Sequence, residues 1–130
     1  MKSLDFLFCF TFLFVITLKA QEKKDSLFFK YDNNYIKTYA EIPNHFYLED
    51  SSGGSHGTFF FGKGDVKSNL NPKSILSLKK YVRSSVFYDK TKKLNDEKIA
   101  DFFSNYVVFF VKTIDKKVEY IQVKSGFEIE

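Results

Sequence analysis

Between Glu49 and His56, eight consecutive positions hold two carboxylates, three serines and a histidine, and His45 lies four residues upstream. Acyl-transfer hydrolysis needs a hydroxyl nucleophile, an imidazole base to take its proton and a carboxylate to orient the imidazole. Asp50, Ser52, Ser55 and His56 supply those types and form the candidate catalytic set of a small hydrolase. The stretch Ser51-Ser52-Gly53-Gly54-Ser55-His56-Gly57 lacks the strand-turn-helix elbow that exposes a serine in Gly-x-Ser-x-Gly. A Gly/Ser connection between two strands accounts for the same composition, because these residues favour turns.

Metal and phosphate chemistry have less support. His45 and His56 are eleven residues apart, with Glu49 and Asp50 between them, and no close-spaced ligand pair occurs. Asp32-Asn33-Asn34 opens like a calcium loop, but Lys37 and Pro43 stand where that loop requires glycine and glutamate. Gly62-Lys63-Gly64 is not the glycine-rich loop that cradles phosphates. The expectation is no metal and no cofactor.

Charge is more concentrated. Lys73, Lys79, Lys80, Arg83, Lys90, Lys92 and Lys93 face only Asp89, a balance of +6 over residues 73–93. Tyr81, Phe87 and Tyr88 are interleaved with them. Lys79, Lys80, Arg83, Lys90, Lys92, Lys93, Tyr81 and Tyr88 are therefore the candidate binding residues, suited to an anionic polymer or a protein partner. The plainer alternative is a solvated helix face followed by a lysine-rich loop.

The N-terminus narrows the choice of partner. Lys2 precedes a 13-residue apolar run, Phe6 to Leu18, and Lys19-Ala20-Gln21 follows. A charged head, a short apolar middle and a small residue at the cut describe a secretory signal peptide. A membrane-spanning helix takes about 20 apolar residues. Asp5 weakens the head and Leu18 stands where a small residue is usual, so an uncleaved anchor is the alternative. Cleavage after Ala20 removes Cys9, the only cysteine, and leaves 18 basic and 15 acidic residues, or +3. The basic stretch exceeds that total, so the rest of the mature chain carries −3. The domain then folds without disulfides, on its core alone. Export to the periplasm or beyond also makes nucleic acid an unexpected partner.

With nineteen lysines against one arginine, abundant Phe, Ile and Asn, and the Lys-Ala-Gln junction, the chain resembles small exported proteins of flavobacteria-like Bacteroidota. The resemblance implies export only and assigns no functional residue.

The remainder reads as one domain, 27–130, behind a loose segment 21–26. Leu27–Tyr31, Tyr35–Tyr39, His45–Leu48 and Thr58–Phe61 are aromatic-rich strands separated by Asp32-Asn33-Asn34, Pro43-Asn44 and the glycine loop, an antiparallel β-meander. Asn71-Pro72 predicts a helix start, with Ile75, Leu76, Lys79 and Val82 on one face. Asn95 caps a second helix, with Asp96 and Glu97 in its first turn and Ile99, Phe102, Phe103 and Tyr106 at helical spacing. Val107–Val111 and Val118–Val123 form a C-terminal β-hairpin, and Phe127–Ile129 adds an edge. The fold class is α+β, a β-meander, two short helices, then a hairpin.

Adjacent Phe28-Phe29, Phe59-Phe60-Phe61 and Val107–Val111 place apolar groups on both faces of their strands. Two short helices cover one face, so the sheet curls, or a ligand or a second copy of the chain, as a homodimer, covers the other. The leading expectation is a non-enzymatic binding module of the cell envelope. The alternatives are the hydrolase and an envelope inhibitor or immunity-type protein. The hydrolase predicts that His56→Ala abolishes turnover of an ester, peptide or glycoside without lowering Tm; no turnover across all three panels would end that reading.

Overall fold

The computed structural model describes residues 24–51 and 57–129. Residues 1–20, expected above to be a signal peptide, and Ser52, Ser55 and His56 of the candidate catalytic set lie outside the described residues. In chain order the elements are β1 (Ser26–Lys30), β2 (Ile36–Tyr39), β3 (Ile42–Leu48), β4 (Gly57–Lys67), α1 (Leu78–Arg83), α2 (Asp96–Phe103), β5 (Val107–Ile114) and β6 (Lys117–Ile129). The strands form one mixed six-stranded sheet ordered β1-β5-β6-β4-β3-β2, giving an α+β domain.

The β2-β3-β4 stretch is the expected meander, and β5 and β6 form the expected hairpin. Its turn residues, Asp115 and Lys116, both have positive φ, the conformation that matches the twist of a two-residue hairpin. Phe127–Ile129 is not a separate edge but the end of β6, paired with the start of β4. Pro43-Asn44 is not the corner either; the chain turns at Ala40-Glu41 and both residues lie inside β3. Proline is tolerated there because the recorded β3–β4 pairing starts only at His45.

Two departures are larger. β1 leaves the meander and pairs in parallel with β5 at the far end of the sheet, Phe28 opposite Phe109 and Phe29 opposite Phe110. Pairing also reaches into the segment expected to be loose, since the Asp25 carbonyl accepts from the Val107 amide at 2.8 Å. The first helix begins at Ser77, not at Asn71-Pro72. Leu76 is extended, because its carbonyl accepts from the Lys30 amide (3.0 Å) and its amide donates to the Phe28 carbonyl (2.8 Å). The Ser77 side chain then caps α1 by accepting from the Lys80 amide at 3.3 Å.

The helices pack on one sheet face. Leu78 and Val82 of α1 and Ile99, Ala100 and Phe103 of α2 meet Phe29, Phe59, Phe61, Val108, Phe110, Ile121 and Val123 in one core. Phe103 lies 5.9 Å from Phe59 and 5.2 Å from Phe61 by ring centroid, so α2 is seated by aromatic contact. On the opposite face, Phe109, Val111 and Tyr120 form a second buried cluster with Phe28, Val107 and Leu70. Leu70 belongs to the β4–α1 connection, residues 68–77, which acts as a strap. It packs on this second face, pairs with the outer edge of β1 at Leu76, and delivers α1 to the first face. Part of the second face is thus covered within the chain.

Elsewhere on that face Phe60 stacks on His45 at 4.2 Å and lies above Gly126, where an added Cβ would fall 2.5 Å from the ring. Gly57 has φ +154°, and a Cβ there would collide with the Glu128 carbonyl oxygen. Gly57→Ala is therefore expected to cost about 1–3 kcal/mol, measured as a lower denaturant midpoint at unchanged m-value. Phe60→Leu should relieve Gly126→Ala but not Gly57→Ala, because only the former collides with the Phe60 ring.

Candidate functional site

The two regions singled out by composition, the Asp50 loop and the basic stretch, meet at one end of the sheet. Burial of Leu78 and Val82 sets the rotation of α1 and places Arg83 at its C-terminal end. The Arg83 guanidinium grips Asp50 through two hydrogen bonds, Nε to Oδ2 at 2.9 Å and Nη2 to Oδ1 at 3.0 Å. The hydroxyl of Tyr35, itself 1% exposed, donates to Asp50 Oδ2 at 2.8 Å. Tyr88 completes the group, its ring centroid 5.9 Å from the guanidinium carbon.

This geometry fixes the electrostatics. Burial raises the Asp50 pKa, but hydrogen bonds from Arg83 and Tyr35, with the Arg83 charge, outweigh it and hold the carboxyl below its ordinary range. Tyr35 is pushed strongly upward by burial and by its bond to Asp50. Asp50 is thus a charged, fully engaged anchor, an arrangement suited to fixing a loop end.

The next residue is anchored as firmly. Ser51 Oγ donates to Asp96, and Asp96 Oδ2 also accepts from the Phe59 amide at 3.0 Å. Asp96 is buried, and its Oδ1 has no hydrogen-bond partner among the described residues. The sequence places Asp96 in the first turn of α2, where a carboxylate favours the helix dipole. Its contact with β4, 37 residues earlier, has no local signal. Beside it an open cleft of about 380 Å³ is lined by Gly57, Phe87, Lys93, Leu94, Asp96 and Phe127, among others.

The candidate binding residues separate into two groups. Tyr81 turns inward, with ring centroids 5.2 Å from Phe29 and 6.1 Å from Phe103, and Arg83 is engaged by Asp50. Tyr88 is half-buried and bridges to Leu94. Lys79, Lys80, Lys90, Lys92 and Lys93 are exposed. The acid beside them, Asp89, is committed to its own turn, where Oδ1 accepts from the Thr91 amide (2.9 Å), the Thr91 hydroxyl (2.6 Å) and the Lys93 amide (3.1 Å). Among the described residues the one ion pair is Arg83–Asp50.

His45 is occupied by stacking on Phe60, with Nδ1 3.4 Å from the Tyr47 hydroxyl. Among the described residues no group of three His, Cys, Asp or Glu side chains is placed to hold a metal ion, and no helix is long and apolar enough to cross a membrane. No protein-family model, curated protein or solved structure matches this chain.

Removing the anchor has a graded outcome. Tyr35→Phe deletes one hydrogen bond and is expected to cost about 1 kcal/mol, whereas Asp50→Ala strands a buried hydroxyl and costs about 1–3 kcal/mol. Because the Asp50 pKa is depressed by folding, its stabilisation is whole above the free aspartate pKa of about 4 and is lost as pH falls through the lower folded value. The stability difference between wild type and Asp50→Asn, followed by denaturant titration, should shrink below that pH and stay constant above it.

Proposed function

We propose that this chain is an exported, non-enzymatic binding domain of the cell envelope, of the flavobacteria-like kind its composition resembles, and that it recognises an anionic polymer. The observation that carries this reading is the set of five exposed lysines, Lys79, Lys80, Lys90, Lys92 and Lys93, none paired with a carboxylate among the described residues. Arg83 and Tyr81 support them from beneath. Arg83 ties α1 to Asp50, and Tyr81 packs α1 on the core, so Lys79 and Lys80 project from a fixed turn. Solvated ammonium groups on such a base attract a polyanion through long-range charge at little desolvation cost.

The apolar run from Phe6 to Leu18 supports export, with Gln21 as the first residue of the released protein. The Arg83–Asp50 pair argues against the hydrolase, because the carboxylate that would orient His56 is already engaged. A protein partner with an acidic surface would use the same lysines.

Alginate, an acidic polysaccharide, serves as the probe. Lys79→Glu/Lys80→Glu and Lys90→Glu/Lys92→Glu should each weaken binding by about tenfold, the equivalent of 1.4 kcal/mol, at unchanged Tm. Lys116→Glu/Lys117→Glu, the same charge change at the β5–β6 turn, should alter it little. Equal losses in all three would reduce the effect to net charge and defeat the proposal.

A further inference from the structure

The cleft of about 380 Å³ beside Asp96 is lined by three carboxylates, those of Asp89, Asp96 and Glu97, and by one ammonium group, that of Lys93. Its volume lies within the range of about 300–1,000 Å³ typical of small-molecule sites. We propose that this cleft binds a primary alkylammonium ion, a single cationic head carried on a short hydrocarbon tail.

Contacts between its walls bring these groups to one place. Phe127 stands opposite Phe59 in the β4–β6 pairing, on the face the helices cover, and its ring lies 2.8 Å from where a Cβ on Gly57 would sit. Asp96 is tied to the same strand, since it accepts from the Phe59 amide at 3.0 Å. The Phe87 carbonyl accepts from the Asn95 amide at 2.8 Å, and the Asp89 amide donates to the Lys93 carbonyl at 3.0 Å. Phe87, Leu94 and Phe127, which all pack on the main core, give the cleft its apolar surface. Asp96 and Glu97 open α2, where their charge offsets the positive end of the helix dipole.

Asp96 sets the chemistry of the ligand. It is 5% exposed, and its Oδ2 is taken by the Ser51 hydroxyl and the Phe59 amide. Oδ1, the oxygen left on the cleft side, has no hydrogen-bond partner among the described residues. A carboxylate oxygen accepts, so the partner it lacks is a donor, and a buried acceptor without one is costly. Lys93 does not supply it, because the one ion pair among the described residues is Arg83–Asp50. Three acids against one lysine favour a donor that is also a cation. The acids are not spaced to surround a metal ion, since no group of three among the described residues is so placed. An alkylammonium head needs no such cage. It donates to Asp96 Oδ1, the charges of Asp89 and Glu97 hold it at longer range, and its tail covers Phe87 and Phe127.

The test is calorimetric titration of the protein, purified from cells expressing the whole chain, with hexylammonium chloride. Hexanoate and methylammonium serve as the matched controls for charge and for tail. Hexylammonium should bind, and both controls should bind more weakly by about tenfold or more. Asp96→Asn keeps an oxygen for Ser51 and the Phe59 amide but puts an amide nitrogen where Oδ1 stood, and should weaken binding by about tenfold or more, the loss of a charge-assisted bond. The exposed Glu97→Gln should weaken it several-fold, and Glu119→Gln, near the opposite end of β6, should leave it unchanged. If Asp96→Asn does not fold, Glu97→Gln alone decides the matter. Equal binding of either control, or unaltered affinity in Glu97→Gln, would overturn the proposal. Lys93→Gln removes the one lining cation, so it should tighten hexylammonium and cannot tighten alginate. Failure on alginate and failure on hexylammonium are therefore distinguishable.

Discussion

The structure depends on one packing constraint, that β1, β4 and β5 carry consecutive apolar residues and so present apolar groups to both faces of the sheet. Burying a phenylalanine is worth about 1.5–3 kcal/mol relative to exposing it. Two helices of six and eight residues cover the face that holds Phe29, Phe59, Phe61 and Phe110. The other face is met by the strap. Leu70 packs against the second cluster, in which Phe28 stacks on Phe109 at 4.9 Å and meets Tyr120 edge-on at 6.0 Å. The same strap closes the outer edge of β1, an exposed row of backbone groups that would otherwise invite pairing with another chain.

The candidate sites follow from this route. Because Leu76 is held extended on β1, α1 starts at Ser77, and a helix starting there ends at Arg83, within reach of Asp50. A helix begun at Pro72 would present a different face and would withdraw Leu76 from β1. One arginine ties the end of α1 to Asp50, just past the end of β3, while Lys79, Lys80, Lys90, Lys92 and Lys93 are exposed.

Much of this was legible in the sequence where the signal is local. Asn95 does cap α2, accepting from the Lys98 amide at 3.2 Å, because its side chain satisfies a donor three residues on. The hairpin at Asp115-Lys116 and the aromatic strands are equally local. The parallel pairing of β1 with β5 is not, since about eighty residues separate the partners and nothing near Phe28 encodes which edge it joins. Asn71-Pro72 is a sound helix start locally and was overridden by the backbone hydrogen bonds of Leu76. Asp96 looked like a first-turn acid and is also a buried link between α2, Ser51 and β4. Residue types place Asp50 among groups able to orient a histidine; they do not reveal that the single arginine, 33 positions on, pairs with it.

The strap is the element on which both the covered face and the placement of α1 rest. Amide hydrogen exchange at Lys30 and Leu76 tests it most directly, since each donates across the contact between strap and strand. The account predicts that both amides are protected to within about tenfold of the central strands, opening only when the sheet opens. Exchange of the Leu76 amide at the rate of an exposed loop, with β5 and β6 still protected, would contradict it.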